Sequence, residues 1–376
     1  MSRNKPLIAL LLALLLSLSA IVASAQAGDY YMYLAAWGGS SNPGVQAFSY
    51  DIETQELAHI GSYGEYSSMS SVAISGDFLF SCVETGQIDI MVSFRILSDG
   101  SLEQLDEIHI DNYNIADIAL DPYGPYIYTS NFGSCSVSMI RYSEDGKLEQ
   151  TDCIVSPDQG SYISGHSTVE RQAEAYAHGS HVMPDGNHLC LCNMGADKLY
   201  IYEIDRENGK LIYLPELTIT VEGGEGPRHI VFSEDGQYAY MNSEMGNSVY
   251  VYAIGEDSSL TQLQKISTLN PEQENTEKGW SSIIMLSQNQ QYLYVANRGQ
   301  NNIVGYRVGE DGLISVMGYY DCYGVSPRGI DFGYNDGAVF ASCNSSGTLT
   351  VIEYDAQTGE LGDCIQTIEG FPGAAG

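Results

Sequence analysis

Apolar and aromatic residues alternate with polar residues in short runs along the chain, and glycine-containing turns separate these runs. Residues 221–252 show the pattern clearly, with runs at 229–232, 238–242 and 249–252. The turn Asp235-Gly236 separates the first two runs. Alternation with a period of two is typical of half-buried strands, and Asp-Gly between two such runs indicates a hairpin. This unit therefore predicts consecutive antiparallel strands.

The same order of strands and turns is repeated along the chain. Further copies lie at residues 70–109, 115–155, 178–204, 280–308 and 327–354, with a shorter copy at 30–63. A four-strand unit that recurs roughly every 40 to 50 residues is typical of propeller blades. The sequence predicts an all-β, seven-bladed β-propeller with four-stranded antiparallel blades, in which the first blade lacks its N-terminal inner strand. The tail after Ile368 is a poor strand, so we expect ring closure by a C-terminal strand to be partial or absent.

The N-terminus has the features of a secretory signal peptide. Arg3 and Lys5 precede an apolar run at 7–22, and two overlapping small-residue cleavage sites follow, Ala23-Ser24-Ala25 and Ala25-Gln26-Ala27. A retained membrane anchor is less favoured, because the run is short and cleavage signals follow it. We expect a signal peptide at 1–27 and a single propeller domain at 28–376, secreted or extracytoplasmic, without membrane insertion after cleavage.

The charge balance limits the possible partners. The chain has 48 acidic and 15 basic residues, for a net charge of −33. Such a charge argues against nucleic acid or an anionic membrane as a partner. We expect a monomer with a small-molecule ligand, and the few basic residues in loops become candidates for binding it.

The eight cysteines do not predict a dense disulfide framework. Cys82, Cys192 and Cys343 lie at one equivalent blade position, and blades that are not neighbours cannot bridge there. We expect these three to be reduced and buried. Cys190 and Cys192 share one strand face, but no histidine or aspartate follows at metal-ligand spacing. The sequence thus predicts no metal site and no cofactor.

Several motifs occur in order over the mature chain. They are Arg171-Gln172 followed by His178, NMGADKLYIY at 193–202, GPRHIVFSEDGQYAY at 226–240, Glu244, ANRG at 296–299 and SPRG at 326–329. With these motifs the sequence resembles the lactonase family of seven-bladed propellers, which includes propeller-type 6-phosphogluconolactonases and carboxymuconate cyclases. The resemblance implies lactone chemistry without a metal ion. It also implies that His178, Arg228, Glu244 and Arg298 are the catalytic residues.

The connectivity of a propeller independently places these residues together. Loops that enter the first strand of a blade share one face with loops that leave its second strand. His178, Arg228 and Arg328 enter first strands, whereas Glu244 and Arg298 follow second strands. All five should therefore converge on one rim near the central channel, which is the default position for a site. Taken singly, each has a purely structural alternative, such as loop bracing or charge neutralisation.

Four residues are candidates for substrate binding, namely Arg328, Arg171 and the loop asparagines Asn193 and Asn297. Asn193 and Asn297 begin equivalent loops, and asparagine at such a position is also a common turn former. Both interpretations of the asparagines stay open at this point.

The residue types favour an anionic substrate with an ester carbonyl. Arginine recognises carboxylate or phosphate and stabilises a developing oxyanion. A histidine with a pKa near neutrality can transfer a proton. The chain has no Gly-X-Ser-X-Gly motif, and no cysteine pairs convincingly with His178, so a covalent nucleophile is not indicated.

Two features separate this chain from the family pattern. Ile283 and Met285 stand where family members commonly carry an acidic residue and a histidine, which makes that part of the mouth more apolar. Together with the signal peptide, this favours a ligand other than a cytoplasmic phosphosugar. The sequence predicts metal-independent hydrolysis, or reversible lactonisation, of an anionic sugar-derived or carboxylated lactone. The alternative is a non-catalytic propeller that binds an anionic ligand, such as a sugar acid, or a cell-surface partner on the same rim.

Overall fold

The computed structural model describes residues 30–36, 43–158, 172–273, 280–333, 337–371 and 373. In this part of the chain, seven antiparallel sheets follow one another, and the only helical segment is a single 3-10 turn at Pro215–Leu217. The predicted seven-bladed, all-β propeller is confirmed. The predicted signal peptide lies outside the described residues, and no described helix is long and apolar enough to cross a membrane.

The blades are formed by consecutive strands, from the inner to the outer edge. Blade one contains β1 (Tyr30–Ala35), β2 (Val45–Asp51) and β3 (Glu56–Tyr63), and blade two contains β4 (Met69–Ser75), β5 (Phe78–Val83), β6 (Ile90–Ile96) and β7 (Leu102–His109). Blade three contains β8 (Ile115–Leu120), β9 (Tyr126–Asn131), β10 (Ser136–Tyr142) and β11 (Leu148–Val155). Blade four contains β12 (Ala177–Val182), β13 (His188–Asn193), β14 (Lys198–Asp205), β15 (Lys210–Tyr213) and β16 (Ile219–Thr220).

Blades five to seven have four strands each. Blade five contains β17 (Pro227–Phe232), β18 (Tyr238–Ser243), β19 (Ser248–Ile254) and β20 (Leu260–Ser267). Blade six contains β21 (Ser281–Leu286), β22 (Tyr292–Asn297), β23 (Asn302–Val308) and β24 (Ile314–Asp321). Blade seven contains β25 (Pro327–Phe332), β26 (Ala338–Cys343), β27 (Thr348–Asp355) and β28 (Glu360–Glu369). In blade four the outer edge is divided, because β15 and β16 both pair with β14.

The first blade has three strands within the described residues, as predicted. Strand β1 pairs with β2 and contacts β4, the inner strand of the next blade. Second strands of other blades make the same contact, for example β18 with β21. Strand β1 therefore occupies a second-strand position.

Paired tyrosines join neighbouring blades through a repeated contact. In blade six, the Tyr292 ring packs over Gly359 of blade seven, 2.4 Å from where a Cβ would lie, and the Tyr294 hydroxyl donates to the Gly359 carbonyl at 2.6 Å. Gly359 has a φ of 78°, a backbone conformation that favours glycine. A side chain at this position would also collide with the Tyr292 ring. Equivalent joints combine Tyr31 and Tyr33 with Gly100, and Tyr238 and Tyr240 with Gly312. These joints hold successive blades in register.

The ring closes by packing and side-chain hydrogen bonds. Leu34 and Phe48 of blade one share a buried cluster with Leu349 and Val351 of blade seven. The Gln366 side chain donates to the Leu57 carbonyl at 3.0 Å and accepts from the Leu57 amide at 2.8 Å, which ties the outer strands together. In the described part of the tail no strand follows β28, and the expectation of incomplete strand closure is met there.

The cysteines follow the prediction. Cys82, Cys192 and Cys343 are fully buried, and all eight cysteines of the chain are free thiols. Burial raises the pKa of the Cys82 and Cys192 thiols well above the ordinary value, so both behave as small core residues.

Candidate functional site

A β-bulge begins several of the inner strands. In β12, Ala177 lies opposite Asn193 and Gly179 opposite Cys192, which leaves His178 as the extra residue. Arg228 in β17 and Arg328 in β25 occupy the same bulge position. A bulge redirects the side chain it carries, and here all three side chains line one cavity.

This cavity has a volume of about 590 Å³. It is lined by the five residues that the propeller connectivity placed on one rim, His178, Arg228, Glu244, Arg298 and Arg328. Its other walls include Phe132 and Ile283 and the polar residues Glu84, Asp117, His229 and Asp331. The structure thus brings the predicted rim residues together in a space of the size that small-molecule sites occupy.

A buried carboxylate joins two of the arginines. Glu244 Oε2 lies 2.9 Å from Arg228 Nε and 2.8 Å from Arg298 Nη2, and Glu244 is 1% exposed. Arg228 also donates through Nη1 to the Ser282 carbonyl, and Arg298 donates through Nε to the Trp280 carbonyl at 3.0 Å. Burial and the nearby Arg298 charge lower the pKa of Arg228, while Glu244 opposes this shift. One carboxylate for two guanidinium groups leaves this pair of arginines with a net positive charge.

His178 is buried in the same wall. Its ring meets Phe132 edge-on at 5.9 Å and His229 at 5.1 Å between centroids. Its Nδ1 has no hydrogen-bond partner among the described residues. Burial, followed by the charges of Arg228 and Arg328, lowers the pKa of His178 well below 6.5. The expectation of a pKa near neutrality was therefore wrong, and the imidazole is neutral at pH 7.

Two carboxyl groups in the cavity respond to burial in the opposite sense. Burial raises the pKa of Asp117 to about 7 and also raises the pKa of Asp331. The Asp117 shift favours the uncharged carboxylic acid near neutral pH, and the Asp331 shift has the same direction. Since Asp117 offsets the arginines less than a full carboxylate would, the cavity suits an anionic ligand.

Two predicted substrate-binding residues, Asn193 and Asn297, are not among the residues that line the cavity. The Asn193 side chain donates to Ser156 Oγ and accepts from the Ala196 amide, and Asn297 donates to the Thr268 carbonyl at 2.8 Å. Both asparagines are fully buried and hold turns, which favours the turn-forming interpretation, and their role as substrate contacts stays a prediction. Arg171 lies outside the described residues.

The two apolar residues noted in blade six differ in their access to the cavity. Ile283 and Met285 both pack against the core shared by blades six and seven, and Ile283 also lines the cavity. Sequence reasoning missed Asp117 and His229 as cavity residues. Their position in the strand could have indicated this, because Asp117 and His229 each directly follow the bulged residue of an inner strand. Gly179 and Gly329 occupy the same position in their strands.

Comparison with known proteins now identifies the family. Residues 31–372 match the family described as "Lactonase, 7-bladed beta-propeller". The chain belongs to this family. Among its relatives, a 6-phosphogluconolactonase of Bacillus subtilis is 25% identical, covering 88% of this chain and 93% of the relative. A 6-phosphogluconolactonase of Formosa agariphila is also 25% identical, covering 85% and 90%.

Solved structures show the same fold as this lactonase-family propeller. A protein from Lactobacillus plantarum superposes with a TM-score of 0.84 at 22% identity, covering 93% of this chain and 98% of its own. The periplasmic gluconolactonase of Pseudomonas aeruginosa superposes with a TM-score of 0.82 at 23% identity, covering 92% and 98%.

Proposed function

We propose that the protein is an exported, monomeric lactone hydrolase that acts on an anionic lactone, either sugar-derived or carboxylated. One observation carries the proposal: His178, whose buried Nδ1 has no hydrogen-bond partner in the described part of the chain, shares a cavity with Arg228, Arg298 and Arg328. Family membership and the relatives named 6-phosphogluconolactonase support a lactone-hydrolysing enzyme.

The arginines bind the anionic group and stabilise the developing charge. A guanidinium has five N–H donors, and Arg228 uses Nε and Nη1 for Glu244 and Ser282. Its remaining donors can contact a ligand in the cavity. Preorganised donors of this kind act on the oxyanion that forms when an ester carbonyl is attacked.

His178 transfers the proton. As a neutral imidazole it accepts a proton from the attacking water, whose oxygen bonds to the lactone carbonyl carbon. The ring C–O bond then breaks, and the leaving oxygen takes the proton from the imidazolium. The product is a hydroxy acid, and the reverse sequence forms the lactone. The proposed reaction forms no covalent enzyme intermediate and uses no metal ion.

The test is a hydrolysis screen of aldonolactones and carboxylated lactones with a pH indicator. His178→Ala should lower the rate by roughly 10² to 10⁴, and Arg228→Ala by roughly 10² to 10³. Arg228→Lys keeps a charge but cannot reach both Glu244 and the Ser282 carbonyl, so it should also be impaired. The matched controls are His109→Ala and Arg141→Ala, both outside the cavity.

Two outcomes would contradict the proposal. Full activity without His178 would remove the proposed base, and tight anion binding with no turnover of any lactone would favour a binding protein. Export is supported by Arg3, Lys5 and the apolar run at 7–22. N-terminal sequencing of the purified protein should find Gln26 or Gly28 as the first residue.

A further inference from the structure

A second group of side chains converges beside the cavity from three adjacent inner strands. Asp117 lies on β8, His181 on β12 and His229 on β17. One ligand atom from each residue lies within 4.8 Å of the others. Blades three, four and five therefore each contribute one potential metal ligand to the same point.

A glycine makes this convergence possible. Gly179 precedes His181 by two residues and follows the bulge of β12. A Cβ at position 179 would lie 2.7 Å from His229 Nδ1 and 2.6 Å from the Arg228 carbonyl oxygen. Because Gly179 has no side chain, the His229 ring can lie against β12 and face Asp117.

The three groups do not satisfy one another. Asp117 Oδ2 is 3.9 Å from His229 Nδ1, which is too long for a hydrogen bond. The Asp117 carboxyl instead accepts a long bond of 3.4 Å from the Ser180 amide, and the His229 amide is held by Asn242 Oδ1 at 3.1 Å. Backbone contacts thus orient two of the residues, and the side chains converge on a gap between them.

The ligand set selects the class of ion. We propose that Asp117, His181 and His229 bind one divalent first-row transition-metal ion, of which zinc is the best example. Two imidazole nitrogens and one carboxylate oxygen suit zinc and its neighbours, whereas magnesium and calcium require oxygen ligands. Asp117 and His229 line the cavity, so ions enter from that side. The bound ion joins three blades, a role beyond the proposed hydrolysis.

The test uses the mature protein stripped of metal by a chelator and dialysed against zinc chloride. Mass spectrometry should find one bound zinc per chain, and cobalt(II) should produce a visible ligand-field absorption. His181→Ala and the nearly isosteric Asp117→Asn should each weaken zinc binding by more than about a hundredfold. The control His188→Ala removes the histidine of a separate pair with Asp185 and should retain one zinc.

Stability provides an independent readout. Zinc should raise the unfolding temperature of the wild type, because it binds only the folded protein, but not that of His181→Ala. If that variant fails to fold, Asp117→Asn answers the question. No saturable zinc binding, or binding unchanged in Asp117→Asn, would overturn the site. Zinc-dependent recovery of hydrolysis in stripped protein would support the site and overturn only the metal-free reaction proposed above.

Discussion

Glu244 provides a sharp test of the electrostatics of the cavity. Glu244→Gln preserves the size of the side chain and removes its charge. The side chains of Glu244, Arg228 and Arg298 are 1%, 4% and 10% exposed, and both ion pairs are shorter than 3 Å. In the variant, two guanidinium groups remain close together in a buried site without their shared counterion.

The expected cost follows from this burial. Removing one partner of a buried ion pair destabilises proteins by about 3 to 5 kcal/mol, because the remaining charge is desolvated and unpaired. We expect the free energy of unfolding to fall by about that amount. The matched control is Glu149→Gln, which breaks an exposed ion pair with Arg141. The Glu149 side chain is 63% exposed and the Arg141 side chain is 51% exposed. That change should have little effect, since exposed ion pairs contribute little.

The assay is equilibrium unfolding in urea, followed by circular dichroism, for the wild type and both variants. Adding phosphate or a sugar acid should stabilise Glu244→Gln more than the wild type, because the anion replaces the missing carboxylate between the arginines. Equal stability of Glu244→Gln and Glu149→Gln would refute the argument. So would an anion effect that is the same in all three proteins.

Two further predictions concern the blade joints and the buried histidines. Tyr294→Phe should lower the free energy of unfolding by about 1 to 2 kcal/mol, because it leaves the buried Gly359 carbonyl without its donor, whereas the exposed Tyr113→Phe should not. Burial lowers the pKa of His181 to about 4, so between pH 6.5 and 4 the unfolded chain binds a proton that the folded protein excludes. The free energy of unfolding should therefore decrease by about 1.4 kcal/mol for each unit by which the pH is lowered, as the contribution of His181. Asp117 acts in the opposite direction, because its pKa is raised in the folded protein. His181→Asn in metal-free protein should lose this contribution. The measurement is urea unfolding at pH values from 7 to 4, and the same dependence of the unfolding free energy on pH in wild type and variant would contradict the prediction.

The architecture could be predicted from the amino-acid sequence alone. Strand alternation and Asp-Gly turns are local properties, so the number of blades and the missing inner strand could be predicted from residues a few positions apart. The rim was also predictable, because the up-and-down order of strands decides which loops share a face. His178, Arg228, Glu244, Arg298 and Arg328 accordingly line one cavity.

Other properties of the site depend on distances between residues that are far apart in the chain, so they could not be predicted without the three-dimensional fold. The pKa of His178 depends on burial and on arginines from blades five, six and seven, which together lower it well below the value of an isolated histidine. Asn193 resembled a substrate contact in sequence, but its amide is occupied by its own turn. Asp117 and His229 meet across blade four because Gly179 leaves space for a ring. Local periodicity contains no information about such contacts, since each depends on how three blades pack.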